Sequence, residues 1–375
     1  MGLPLAITFA ERGLKTIVLD KNEAALNGVL KGDIPFKEKD ADEKLAQVLS
    51  AGNFTGTTDN SKVSEAEYVI VIIGTPIDEF LNPRIQDIIK VFDSLMPYFK
   101  DGQTIILRST IYPGTTRGIK RLLEQAKKKT KLAFCPERVA EGVAIEEIKS
   151  LPQIVSGIDQ ASEKSAAKLF AKIAKEIVFL SPEEAELAKL MTNAWRYIQF
   201  AVANQFYMIA DSAGLDFYKI FHAIKHNYPR AKDFPSAGFA AGPCLFKDTM
   251  QIAAFNNNKF FLGHAAMLVN EGMPNHIVED LKQKFDLSKK RVAIIGMAFK
   301  GGSDDKRDSL SYKLKKILQI QAKEVLCTDV YIKDKGFVSL EESLKADITI
   351  LGSRLSFFRL IAPSKKPSAA CLPDI

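Results

Sequence analysis

The stretch TIILRSTIYPGTTRGIKRLLEQAKKKTKLAFC, residues 104–135, decides the fold class. It opens on the β-branched run Thr104 to Leu107, passes through a helical segment, and closes on a second apolar run, Leu132 to Cys135. The helical segment ends in Lys127-Lys128-Lys129-Thr130-Lys131, where lysines suit the negative end of the dipole. The same alternation extends to both sides. Upstream lie Lys15 to Asp20 and Tyr68 to Ile73; downstream lie Gln153 to Gly157 and Ile177 to Leu180. Short strands alternating with helices imply a parallel sheet covered on both faces.

Past that sheet, Ser181-Pro182-Glu183-Glu184 is a helix-start signal, with a serine cap, proline at the first position and acids in the first turn. No proline interrupts Glu183 to Ala213, and Leu187, Leu190, Met191 and Ala194 recur at helical spacing, so a long spine helix is expected. A Gly- and Pro-bearing loop, Asn227 to Pro243, leads into a second helical pair. Then Arg291 to Ile295, a helix near Leu310 to Ile320, Val325 to Asp329 and Asp347 to Leu351 outline a smaller α/β lobe. The expected fold is α/β: two Rossmann-like parallel-sheet domains, 1–180 and 287–375, joined by a long helical central domain, 181–286.

Composition narrows the function classes. With 375 residues, 46% hydrophobic and 26% charged, the chain can bury a large core. A net charge of +7 suits a phosphate-bearing small substrate, and no aromatic-interleaved basic stripe points to nucleic acid. Cys135, Cys244, Cys327 and Cys371 are widely spaced, which indicates neither a disulfide framework nor a metal site, and a reducing cytoplasm is expected. No apolar run reaches membrane-spanning length.

Candidate site residues sit where chains of this class bind ligands. Asp20 ends a strand about 20 residues past Gly2, where an acid accepts hydrogen bonds from a ribose and favours NAD over NADP. Read alone it is equally a turn residue. Gly74-Thr75-Pro76 and Ser109-Thr110 follow strands at the carboxyl edge, although Thr110 by itself could be a helix cap. Cys135 to Gly142 sets Glu137 and Glu141 four residues apart after a buried strand, in position for a general base. Lys189 and Asn193 share one helix face and could stabilise an oxyanion, or form a solvated polar stripe. Glycines and a proline deliver Cys244 to a helix start with Lys247 beside it and Asp248 one turn on. The dipole and the lysine favour thiolate there, though a lone cysteine also serves as packing.

Together GFAAGPCLFKD, EAELAKLMTNA, CPERVAEG, IGTPIDEFLNP and RSTIYPGTT are similar to the UDP-glucose/GDP-mannose dehydrogenase family, in the family's order over nearly the whole chain. The wording of CPERVAEG and GPCLFKD resembles the branch acting on UDP-N-acetylhexosamines. The resemblance implies NAD-dependent four-electron oxidation of a C6 alcohol through a thiohemiacetal and thioester on Cys244. It implies oxyanion stabilisation by Lys189 and Asn193, water or proton handling by Asp248 and Thr110, and hydrolysis assisted by Glu137. Gly2, Asp20, Thr75, Pro76 and Thr110 would hold NAD. Glu141, Arg138, Arg230, Gly238, Phe239 and Lys300 would meet the UDP-sugar, with Arg230 reaching a neighbouring subunit's substrate in a homodimer or higher oligomer.

The resemblance also implies a strand and two glycines ahead of Gly2, expected between the strand ending at Asp20 and the one at Thr104, so those two strands are expected to keep unpaired edges. The chain is expected to be short at its other end too, with Ala362 to Ile375 a polar tail. Competing readings are a UDP-glucose 6-dehydrogenase, an inactive nucleotide-sugar-binding dimer, and a β-hydroxyacid dehydrogenase, which needs no nucleophilic cysteine.

Overall fold

Ten strands and the helices between them fill residues 1–353, the part of the chain described by the computed structural model. They fall into two compact units, Met1–Thr192 and Asn193 onward. The expected polar tail and Cys371 lie outside the described residues.

The first unit opens with the helix Gly2–Glu11, closed by Gly13 at φ +77°, a left-handed position that suits glycine. Its strands are β1 (Thr16–Leu19), β2 (Phe54–Thr57), β3 (Tyr68–Val71), β4 (Thr104–Leu107), β5 (Lys131–Phe134), β6 (Gln153–Gly157) and β7 (Ile177–Phe179). β3 to β7 form one five-stranded sheet in sequence order, and β1 pairs with β2 in a separate parallel sheet. β4 is buried along its whole length. Its alternate side chains serve two cores: Ile105 and Leu107 pack with Phe92 and Ile119, while Ile106 packs with Phe9 and Phe170. A strand covered on both faces has to be apolar throughout, which is why TIIL reads as a continuous run.

Two expectations are corrected. The sheet is not wholly parallel, because β6 pairs antiparallel with β5 through Ala133↔Gly157 and Phe134↔Ser156. An alternating pattern looks the same in either chain direction, so the pattern alone carries no strand sense. The edges with no second partner are also not where they were expected. β4 pairs on both sides, whereas β1 and β3 each have one partner among the described residues. The cause is β2, a strand that the sequence reading passed over; counting it moves every later strand by one place. Apolar β1 and β3 are accordingly only half-buried for most of their length.

The helix Pro182–Ser212 runs unbroken through the spine segment. Its start is a capping box: Ser181 N–H donates to the Glu184 carboxylate at 2.8 Å and Glu184 N–H returns to Ser181 Oγ at 3.4 Å. In the second unit β8 (Arg291–Ile295), β9 (Glu324–Thr328) and β10 (Ile348–Leu351) form a parallel sheet in the order β10-β8-β9. The helices Phe261–Lys284 and Leu310–Gln321 pack on it through Met273, Ile277, Leu314 and Leu318. Both lobes are therefore Rossmann-like, as expected.

Candidate functional site

In the first unit the cofactor candidates lie at strand and helix ends. No side chain caps the first turn of Gly2–Glu11 and no acid occupies it, so its amide groups are available to an anion. Gly2 itself has room for a Cβ, which would touch only Ile72 at an ordinary 3.8 Å, so its amide matters there more than its missing side chain. Asp20 follows β1, is exposed, and accepts Asn22 N–H on one carboxylate oxygen at 2.8 Å. Gly74-Thr75-Pro76 follows β3, and Ser109-Thr110 follows β4; Ser109 Oγ accepts Ile73 N–H at 2.7 Å and ties the two turns together. The carboxyl ends of β1 and β3 share one apolar cluster through Leu19, Val71 and Ile73. An available amide end, an exposed acid and hydroxyl-bearing turns at one edge fit a dinucleotide.

The loop after β5 carries the acid–base candidates. Glu137 accepts Val139 N–H at 3.0 Å and pairs with Lys189 Nζ at 3.3 Å. The pair is largely withdrawn from solvent, with side-chain exposures of 15% for Glu137 and 5% for Lys189. Glu141 is half-buried on the same loop. Arg138 donates to the Pro152 carbonyl, which turns its guanidinium to the scaffold. Ala140 N–H donates to Glu147, and Gly142 and Ile145 N–H donate to Glu38 at 3.0 and 3.1 Å, so side chains hold the loop along its length.

In the second unit Cys244 is the exposed N-cap residue of the helix Leu245–Phe255. One turn on, Asp248 is fully buried, accepting from Asn193 Nδ2 and from Lys247 Nζ at 2.6 Å each. The sequence reading named both Asn193 and Asp248 but not the bond between them. Gly238 N–H donates to Asn204 Oδ1 at 2.7 Å, and Asn204 continues to Asn270 at 2.8 Å. Phe239 is turned into the core of the second lobe, so its backbone and not its ring is left for ligand. Gly242 sits at φ +100° against the Phe299 ring, where a Cβ would approach to 2.5 Å; only glycine fits. Lys300 follows at 5.7 Å from that ring, and Arg230 lies exposed over Tyr228.

Arg108, Gln153 and Glu186 were missed. Each is buried, and each binds backbone that carries a candidate residue or its turn. A polar residue beside a strand, at a strand's first position or in a helix's first turns, as Arg108, Gln153 and Glu186 are, ordinarily reads as solvated, so burial was their only signal. Among the described residues no cluster could hold a metal ion, and no helix is long and apolar enough to cross a membrane.

A Rossmann-like lobe with this edge chemistry belongs to an NAD-dependent oxidoreductase, and residues 1–176 match the NAD binding domain of the UDP-glucose/GDP-mannose dehydrogenase family. Residues 183–271 match that family's central domain. The chain is 30% identical over 358 residues to the UDP-N-acetyl-D-mannosamine dehydrogenase of Methanocaldococcus jannaschii, covering 94% of this chain and 82% of the relative. A solved UDP-D-ManNAc dehydrogenase from Pyrococcus horikoshii superposes with TM-score 0.88 at 28% identity, over 94% of this chain and 86% of that one. The UDP-N-acetyl-mannosamine dehydrogenase Cap5O from Staphylococcus aureus gives TM-score 0.85 at 26% identity, over 96% and 88%. The chain belongs to the UDP-glucose/GDP-mannose dehydrogenase family.

Proposed function

We propose that this chain oxidises the C6 alcohol of a UDP-N-acetylhexosamine, UDP-N-acetyl-D-mannosamine foremost, to the uronic acid in a four-electron reaction through Cys244. The observation that carries the reading is an exposed thiol at a helix N-terminus, one turn before a buried carboxylate that grips an amide and a lysine. The names of the relatives support the sugar. NAD, when bound, supplies the hydride acceptor, twice per sugar.

After the first oxidation the Cys244 sulfur adds to the C6 aldehyde, forming a C–S bond while its proton goes to the new alkoxide oxygen. Covalent capture retains a reactive aldehyde and presents a tetrahedral carbon for the second oxidation, which leaves a thioester. Lys189 and Asn193 stabilise the oxyanion, each anchored by a carboxylate that fixes its direction. Asp248 and Thr110 handle protons or hold water. Glu137 takes a proton from the water that hydrolyses the thioester; the C–S bond breaks, and carboxylate and thiol are released. Alcohol, two NAD⁺ and water thus give carboxylate, two NADH and three protons.

Gly2, Asp20, Thr75, Pro76 and Thr110 hold the cofactor, and Glu141, Arg138, Arg230, Gly238, the Phe239 backbone and Lys300 serve the UDP-sugar. The domain division 1–180, 181–286 and 287–375 and a cytoplasmic location belong to the same proposal. So does a homodimer or higher oligomer, supported by the exposed stripe Trp195, Val202, Phe206 and Ile209 on one face of the long helix.

The test counts NADH per sugar with UDP-N-acetylmannosamine, UDP-N-acetylglucosamine and UDP-glucose. Two NADH per UDP-N-acetylmannosamine, with Cys244→Ser reducing steady-state turnover by at least about 1,000-fold, is the expected result. One NADH per sugar, or full turnover by Cys244→Ser, would overturn it.

A further inference from the structure

We propose that Arg108 is a positioning residue for Glu137: with Gln153 it grips the carbonyls of Cys135 and Pro136, and so fixes the backbone from which the Glu137 carboxylate projects. Arg108 directly follows β4 and is 3% exposed. Its Nη1 donates to Cys135 O at 3.1 Å and to Gln153 Oε1 at 3.0 Å. Gln153 Nε2 in turn donates to Pro136 O at 3.0 Å and Ile154 O at 2.7 Å. The two carbonyls immediately before Glu137 are thereby clamped from one side, while the Phe170 ring packs 5.1 Å from the guanidinium on another.

No ion pair accounts for this arginine. Among the described residues no carboxylate forms one with it, and the cost of burying its charge is offset only by its hydrogen bonds and the Phe170 ring. Burial pushes its pKa down to about 10, so it stays charged at neutral pH. The negative group that acts on it most strongly is Glu137. A fixed charge behind a carboxylate, attached to the carboxylate's own backbone, is an arrangement suited to holding that carboxylate in one direction. Both of the arginine's hydrogen bonds leave from a single nitrogen, so a lysine ammonium can supply them while losing the flat face that lies on Phe170.

The catalytic half of this inference rests on the role proposed above for Glu137, and two readouts keep the two apart. The first needs no activity: hydrogen exchange at the amides of residues 137–142. Arg108→Met should speed exchange there and leave the helix Phe261–Lys284 unchanged, and Arg108→Lys should restore protection. The second is turnover with UDP-N-acetyl-D-mannosamine and NAD, with intact mass to detect sugar bonded to Cys244. Arg108→Met should lower kcat about 100-fold with KM unaltered and let the covalent adduct accumulate, as is expected of Glu137→Gln. Arg108→Lys should recover both. If Arg108→Met does not fold, Gln153→Ala, which leaves the cation in place, should show the same pattern with kcat down about tenfold.

Unchanged exchange across residues 137–142, no rescue by lysine, or an adduct in Glu137→Gln but not in Arg108→Met each overturn the proposal while leaving the role of Glu137 standing. Full turnover by Glu137→Gln overturns that role instead, and the exchange readout still decides whether Arg108 positions the loop.

Discussion

Glu137 with Lys189 and Asp248 with Lys247 are both carboxylate–lysine pairs, and they are built in opposite senses. In the first pair the lysine is the more deeply buried partner, at 5% side-chain exposure against 15% for the carboxylate. In the second the carboxylate is fully buried, at 0% against 14% for the lysine. The first pair leaves an acid facing outward with a buried cation behind it. The second buries the acid between two donors, Lys247 on one oxygen and the buried Asn193 amide on the other. An outward acid suits a group that takes protons; a buried acid suits one that orients donors around a reacting oxygen.

The largest expected effect separates the two pairs by when the reaction stops. Glu137→Gln should release two NADH per site and then stall at the thioester, slowing steady-state turnover by about 100- to 10,000-fold. Asp248→Asn disturbs the donors proposed to stabilise the oxyanion and should stall earlier, with less than one NADH per site. Rapid-mixing absorbance at the NADH band with enzyme in excess distinguishes them. Bursts of equal size would break the comparison.

The same inversion predicts a crossover in stability. Lys247→Met leaves a wholly buried carboxylate with no cation beside it and only the neutral Asn193 amide, and should cost about 3–5 kcal/mol. Lys189→Met strands a carboxylate that still reaches solvent and keeps the Val139 N–H, so about 1–2 kcal/mol is expected. Denaturant unfolding of the two variants measures both. A larger loss for Lys189→Met would mean that exposure does not govern these pairs.

How much of this was legible beforehand differs by element for physical reasons. Strands such as Thr104–Leu107 were plain because burial on both faces demands unbroken apolar sequence. β2 was not. Its sequence FTGT carries Gly56 because a Cβ there would come within 2.6 Å of Leu26, so a glycine that reads as a turn is in fact a packing requirement. At the site, Cys244 was legible because glycine and proline punctuate the loop that delivers it to a helix start. The Asn193–Asp248 bond joins residues 55 apart, and the Arg108 clamp joins side chain to backbone across neighbouring strands. Neither contact leaves a local pattern, since each depends on how distant segments pack.

Glu186 is the control that sharpens the comparison, a third buried carboxylate that has no ion pair among the described residues. It caps the helix Thr115–Gln125, accepting Gly114 N–H at 2.6 Å, Thr116 N–H at 2.8 Å and Thr116 Oγ1 at 2.6 Å. Burial pushes its pKa above the ordinary 4.5, and the hydrogen bonds from Thr116 and Gly114 only partly offset that. A folded-state pKa above the unfolded one means that folding takes up a proton. The associated stability is full below the unfolded value and is lost as pH rises through the folded one. Glu186→Gln, neutral at every pH, removes that loss. The Gln amide nitrogen only donates, so the variant loses at least one of these three hydrogen bonds at every pH and should start below the parent in mild acid. The variant should then gain on the parent as pH climbs above the ordinary 4.5, read as a difference in urea midpoint that moves in the variant's favour. A difference that moves the other way would mean that three donors outweigh burial at this carboxylate.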